Sequence, residues 1–133
     1  MSQFSLSKSE ILSSKKSIDD LFKTGKSFSE GNFKIIYKFI KSDLLPTSQV
    51  LFSAPKRYHP KAVRRNRIKR LMREAYRLNK QELFNWLVIN KQQCLFVILF
   101  TGSEKPDFTQ FENTIKNLLI RLIDQGQKQQ IKQ

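Results

Sequence analysis

The sequence is poor in features that would assign it to several common classes of protein. Among 133 residues there is one cysteine, Cys94, which cannot form an internal disulfide and fits a reducing cytosol. The longest apolar runs, such as 94–100, are far shorter than the roughly 20 residues that cross a bilayer. The first twelve residues lack the apolar block of a secretory signal. We therefore expect a cytoplasmic protein that does not associate with membranes.

Groups that carry hydrolytic chemistry are also scarce. The chain has one histidine, His59, so two imidazoles cannot share the roles of acid and base. The 11 Asp and Glu residues are scattered, and Asp19 and Asp20 form their only adjacent pair. A metal-dependent nuclease needs several positioned carboxylates. We therefore expect no catalytic side chains and no metal site in the protein, and we interpret His59 as a loop residue.

Positive charge, in contrast, is abundant and concentrated in one segment. The chain has 25 Lys and Arg residues against 11 acids, which gives a formal charge of +14 at pH 7. Residues 56–80 contain eleven of these bases and a single acid, Glu74. Such a local excess predicts a polyanionic partner, and the guanidinium fork suits phosphate oxygens. Because 39% of the residues are hydrophobic, we expect a folded nucleic-acid-binding protein and not a disordered basic tail.

One amphipathic helix, from Lys61 to Gln81, dominates the predicted secondary structure. Apolar residues recur along one side of it at helical spacing, namely at Ile68, Leu71, Met72, Ala75, Tyr76 and Leu78. Cations gather on the opposite side, namely Arg67, Lys69, Arg70, Arg73 and Arg77. The pattern predicts a helix that packs with one face and reaches for phosphate with the other.

The remaining segments predict an α+β fold. In chain order we expect a short helix from the Ser17 cap to Gly25, strands at 33–40 and 49–54 with a connection at 43–48, the basic helix, a buried strand at 95–100, and a last helix from a Thr109 capping box to Gly126. Residues 83–93 fit either a continued helix or a packed connection. We expect one domain over 1–133, with a mixed four-stranded sheet of split βαβ type in the order α-β-β-β-α-β-α, and flexible ends at 1–10 and 127–133.

The basic helix resembles the signature of a known family. The string KAVRRNRIKRLMREAYR, from Lys61 to Arg77, is similar to the signature of the protein component of bacterial ribonuclease P. Residues 20–28, DLFKTGKSF, resemble the first helix and turn of that family. Residues 53–57, SAPKR, resemble its passage from a central strand into the signature helix. The resemblance extends over residues 11–123.

This resemblance implies a protein subunit of an RNA-based endoribonuclease (a hydrolase) that matures tRNA. The implied partners are ribonuclease P RNA and the 5′ leader of precursor tRNA, with no obligate protein partner. Mg²⁺, held mainly by the catalytic RNA, would perform hydrolysis, so the protein alone should be inactive. By position, the implied contacts with the RNA subunit are Arg65, Asn66, Arg67, Lys69, Arg70 and Arg73. The implied leader cleft, between the first helix and the central sheet, contains Phe22, Tyr37, Lys56 and Arg57.

Other interpretations stay open at this stage. Without the resemblance, core packing is the favoured interpretation of Phe22 and Tyr37. A structural RNA-binding protein of the ribosomal type could carry the same basic helix without an aromatic groove. A protein that reads DNA with this helix would lack the zipper or second helix that usually sets register. Ile18 also departs from the aromatic residue that many relatives carry, so one stacking platform is missing there.

Overall fold

The described part of the chain contains four α-helices, one short 3-10 helix and four strands. The computed structural model describes residues 6–42 and 48–132, so the predicted connection at 43–48 lies almost entirely outside the described residues. A short 3-10 helix, Lys8–Glu10, comes first. The helices are α1 (Lys15–Thr24), α2 (Ala62–Asn79), α3 (Gln81–Asn90) and α4 (Phe108–Lys132), and the strands are β1 (Lys26–Glu30), β2 (Phe33–Lys41), β3 (Ser48–Ser53) and β4 (Gln92–Phe100).

The four strands form one mixed sheet in the order β1-β2-β4-β3. Strand β2 pairs antiparallel with β1 and with β4, whereas β3 pairs parallel with β4. Parallel neighbours require a long crossover, which α2 and α3 supply between the adjacent strands β3 and β4. The structure confirms the predicted α+β class and the mixed four-stranded sheet.

Side-chain alternation gives the sheet two different faces. One face is rich in rings, such as Phe33, Phe96 and Phe100, and it packs with buried residues of α2, α3 and α4 in the larger core. The other face is aliphatic. There Ile36 and Val97 form a smaller core with Leu12 and with Leu21 of α1. Helix α1 therefore lies across the sheet from the other three helices.

Helix α2 packs as its sequence pattern predicts. It buries Ile68, Met72, Ala75 and Tyr76. Leu71 is partly buried against the same core, whereas Leu78 at the end of the predicted stripe is exposed. None of the described helices is both long and apolar enough to span a membrane.

Two helix starts differ from the predicted ones. The hydroxyl of Ser14 accepts a hydrogen bond from the backbone N–H of Ser17 at 3.3 Å, so Ser14 and not Ser17 caps α1. At the start of α4, the carboxylate of Asp107 accepts from the backbone N–H of Gln110 at 3.1 Å. Asp107 therefore takes the capping role that was predicted for Thr109. In both cases an earlier polar side chain satisfies the first free N–H groups.

The last third of the chain is more helical than predicted. The segment that fitted either a helix or a connection is the separate helix α3, which ends at Lys91 in a left-handed conformation with φ 53°. Helix α4 runs through Gly126, its predicted end, to Lys132. A Cβ atom on Gly126 would lie 2.6 Å from a ring carbon of Trp86. This glycine therefore marks a close approach between α3 and α4, and not a helix stop.

Candidate nucleic-acid interface

The face of α2 that points away from the core carries an exposed row of polar and cationic side chains. Asn66, Arg67, Arg70 and Arg73 are exposed and lie at positions i, i+1, i+4 and i+7, which share one side of a helix. Among the described residues, no carboxylate forms an ion pair with any of these three arginines. We call these four residues the α2 ridge. Its guanidinium groups are available to bind phosphate.

Two other predicted contacts, Arg65 and Lys69, are only partly exposed beside the ridge. Nη1 of Arg65 donates to the backbone oxygens of His59 and Pro60, at 3.0 and 2.7 Å. Part of this guanidinium therefore holds the loop before α2, and the rest can reach outward. Lys69 flanks the ridge on the side toward the buried stripe.

The aliphatic face of the sheet is only partly covered by α1. Ile18 and Leu21 of α1 pack against the smaller core. Beyond them Leu51, Leu95 and Leu99 stay partly exposed on the same face. We call these three leucines the open sheet face. An apolar surface of this kind can accept the flat face of a nucleobase.

Three of the predicted leader contacts are exposed and lie on elements next to this surface. Phe22, next to Leu21 on α1, is 50% exposed. Lys56 and Arg57 follow β3 and are also exposed. Because β3 and β4 are parallel, both strands end at the same sheet edge, so these cations lie beyond the end at which Leu99 sits. A ring, an apolar floor and cations together can hold a single-stranded nucleic acid.

An exposed ring that sequence reasoning missed lies in the same loop. Tyr58 is 42% exposed, and the guanidinium carbon of Arg57 lies 4.8 Å from the centre of its ring. Nη2 of Arg57 also donates to the Tyr58 hydroxyl at 2.9 Å. The sequence signal that could have found Tyr58 is an aromatic residue next to an arginine in a basic loop, since an arginine can pair with the face of such a ring.

The fourth predicted leader contact, Tyr37, does not lie on the open sheet face, and the structure contradicts its place in the cleft. Tyr37 is 4% exposed and packs against Phe28 and Phe39 in the larger core. Its hydroxyl donates to Gln125 Oε1 at 3.3 Å, and burial raises the pKa of that hydroxyl. Because strand neighbours point to opposite faces, the residues on either side of Tyr37 face α1: Ile36 packs in the smaller core, and Lys38 forms an ion pair with Asp20.

The Asp, Glu, His and Cys side chains of the described residues do not cluster, and the surroundings of two of them shift their pKa values. Across residues 6–42 and 48–132, no three His, Cys, Asp or Glu side chains converge on a possible metal position. Burial raises the pKa of the Cys94 thiol well above its usual value, so the thiol stays protonated near neutral pH. A hydrogen bond from Arg77 lowers the pKa of the Glu74 carboxyl, the single acid on α2.

The fold and these surfaces define a cationic α+β protein of the RNA-binding class. The family model for ribonuclease P matches residues 6–123, and the chain belongs to this family. It is 36% identical over 119 residues to the ribonuclease P protein component of Porphyromonas gingivalis, covering 90% of this chain and 87% of that protein. It is 38% identical over 125 residues to the component of Chlorobium phaeobacteroides, covering 86% of each.

Solved structures agree with this assignment. The RNase P protein of Thermotoga maritima superposes with a TM-score of 0.64 at 26% identity, covering 84% of this chain and 96% of that protein. The RNase P protein of Staphylococcus aureus gives a TM-score of 0.67 at 17% identity and covers 86% and 96%, which supports the fold. Family membership makes this chain a protein subunit of ribonuclease P, the endoribonuclease that removes 5′ leaders in tRNA processing.

Proposed function

We propose that the α2 ridge binds the RNA subunit of ribonuclease P, while Phe22, the open sheet face and the basic loop after β3 bind the 5′ leader of precursor tRNA. The observation that carries this proposal is the exposure of Arg67, Arg70 and Arg73 along one side of a helix whose opposite side is buried. Arg65 and Lys69 extend the same contact. RNA is a fitting partner because several phosphates can be neutralised at once.

Hydrolysis belongs to the RNA subunit in this proposal. The described residues supply no converging set of metal ligands, so we assign Mg²⁺ to the RNA and derive no step through a protein-bound ion. The protein contributes binding and orientation of the substrate, and it needs no second protein. With its single, buried thiol, it is suited to the cytoplasm.

Reconstitution tests the proposal. The purified chain alone should leave precursor tRNA intact, whereas the chain mixed with its RNA subunit should restore cleavage at a magnesium concentration too low for the RNA by itself. A triple variant, Arg67→Ala, Arg70→Ala and Arg73→Ala, should lose this stimulation and its affinity for the RNA subunit. Cleavage by the protein without RNA, or unchanged stimulation by the triple variant, would contradict the proposal.

A further inference from the structure

His59 lies in the basic loop between β3 and α2, and it is completely buried. Its imidazole stacks on the ring of Phe100 at the end of β4, with ring centres 5.5 Å apart and planes within 3° of parallel. Nε2 lies 2.8 Å from the backbone oxygen of the same phenylalanine. The ring is therefore fixed against the end of β4 in two ways.

The partner on the other ring nitrogen determines the tautomer. Nε of Arg64, on the first turn of α2, donates to Nδ1 of His59 at 3.1 Å. An arginine stays protonated under all ordinary conditions, so Nδ1 must be the acceptor. It follows that Nε2 carries the proton and donates to Phe100. The imidazole is thus neutral in this arrangement, and both nitrogens are used.

Arg64 continues the connection. Its Nη2 donates to the backbone oxygens of Gly102 and Glu104, at 3.2 and 2.8 Å. One imidazole and one guanidinium therefore join three segments: the loop that carries Lys56 and Arg57, the start of α2, and the chain after β4. The predicted RNA contacts did not include Arg64, and its hydrogen bonds show that its guanidinium is directed inward.

We propose that His59 is a positioning residue: the two hydrogen bonds of its neutral imidazole fix the Lys56–Arg57–Tyr58 loop in the position from which it binds the 5′ leader. This inference rests on the proposed function for the leader. The neutral Nε2–H tautomer joins Phe100 and Arg64 at the same time. The loop that precedes α2 is thereby set at the sheet edge at which β3 and β4 both end.

The connection depends on the acceptor at Nδ1 of His59. The guanidinium of Arg64 can only donate, so a side chain without an acceptor at this position would break the link between the loop and α2. The other charged groups nearby do not replace the acceptor. Arg65 is a second cation and bonds to the His59 carbonyl, and the carboxylate of Glu104 accepts from Asn32. The adjacent Tyr58 ring lies 6.4 Å from the imidazole, between ring centres.

The test compares three proteins assembled with the RNA subunit: the natural chain, His59→Gln and His59→Phe. Glutamine offers one donor and one acceptor, so it can keep both hydrogen bonds. Phenylalanine keeps the stacked ring and loses both bonds. The measured quantity is the ratio of the affinities for precursor tRNA with a leader and for mature tRNA, at one neutral pH.

We expect His59→Phe to lose about tenfold in this ratio relative to the natural protein, on the scale of one or two hydrogen bonds. His59→Gln should keep the natural ratio, and affinity for mature tRNA should be unchanged in all three proteins. Since the chain has one histidine, NMR of the imidazole nitrogens in the free protein reads its tautomer and protonation without interference.

The outcomes separate the two proposals. A leader-dependent ratio that is the same in all three proteins would overturn the role of His59 and leave the proposed function standing. An Nδ1–H tautomer in the free protein would overturn it as well. If the natural protein at neutral pH does not distinguish precursor from mature tRNA, the proposed leader site fails, and the leader role of His59 fails with it.

Discussion

Phe22 stands half exposed on α1, directly after the fully buried Leu21. A large ring loses favourable free energy when it is left in water, and an aromatic face can stack on any base. Its neighbour Leu21 packs in the smaller core, and Phe22 belongs to neither core. At the scale of single residues, we therefore expect Phe22 to distinguish substrates with and without a leader.

We expect Phe22→Ala to weaken binding of leader-bearing precursor tRNA by about 1–3 kcal/mol, the usual contribution of one stacked base. Affinity for mature tRNA should not change. The matched control is Tyr37→Phe, which removes a hydroxyl from the larger core and should leave both affinities unaltered. Equilibrium binding of both RNAs to the assembled enzyme measures the effect. An equal loss for the two RNAs would count against the leader assignment.

Cys94 provides a residue-scale prediction about pH and stability. Burial raises the pKa of its thiol in the folded protein, so the unfolded chain loses this proton first. The stabilising contribution is complete below the unfolded pKa of about 8.5 and decreases as the pH rises above it, by up to about 1.4 kcal/mol per pH unit.

Urea denaturation under reducing conditions, carried out at increasing alkaline pH, measures this slope as a change in the free energy of unfolding. Cys94→Val removes the thiol while keeping an apolar side chain, and we expect a smaller loss of stability over the same pH range. A slope as steep in the variant as in the natural protein would mean that other groups cause the loss.

Individual residues also show what the sequence could not predict. The α2 ridge follows from periodicity, because helical spacing separates its arginines from Ile68 and Met72. The face on which Tyr37 lies depends on strand register, because a shift of one position places a side chain on the opposite face of the sheet. The bonds of His59 and Arg64 join segments about forty residues apart in sequence, and no local pattern encodes them.

At the scale of elements, the contact between α3 and α4 depends on one glycine. Gly126 lies within α4, and a methyl group there would meet Trp86 at 2.6 Å and Phe39 at 3.0 Å. Overpacking costs about 1–3 kcal/mol and the gain in helix propensity is about 1 kcal/mol, so we expect Gly126→Ala to destabilise the protein by a net amount of up to about 2 kcal/mol. Thermal or urea unfolding measures the difference.

The exposed neighbour Gln127 gives the control, and Gln127→Ala should be neutral or slightly stabilising. A Gly126→Ala protein as stable as the natural chain would show that α3 can move aside.

The elements differ in how well the sequence predicts them. The two ends of α2 are predicted to within two residues, because apolar residues mark one face of this helix and cations mark the other. Residues 83–93, most of which belong to α3, fit two interpretations because Val88 and Ile89 are apolar yet exposed, which blurs the helical pattern. The end of α4 was predicted too early because a glycine stops a helix in most contexts, and only tertiary packing shows why this one does not.

Over the whole molecule, charge is distributed unevenly, and this predicts a steep salt dependence. Binding of the RNA subunit should weaken as salt rises, since each neutralised phosphate releases counterions. Arg67→Ala and Arg70→Ala should each reduce the slope of log affinity against log salt by about 1. Lys128→Ala, on α4, removes a cation that pairs with Asp124 and should leave the slope unchanged. The same slope in all three variants would place the RNA contact elsewhere.

The position of β4 in the sheet has a consequence for biosynthesis. This strand lies between β2 and β3, yet it is the last of the four to be translated, and its residues complete the aromatic core on one side and the aliphatic floor on the other. A nascent chain that has emerged only as far as Asn90 contains the arginine-rich helix but lacks the strand that completes the sheet against which this helix packs. The sheet against which the arginine-rich helix packs is therefore complete only after Phe100 has left the ribosome.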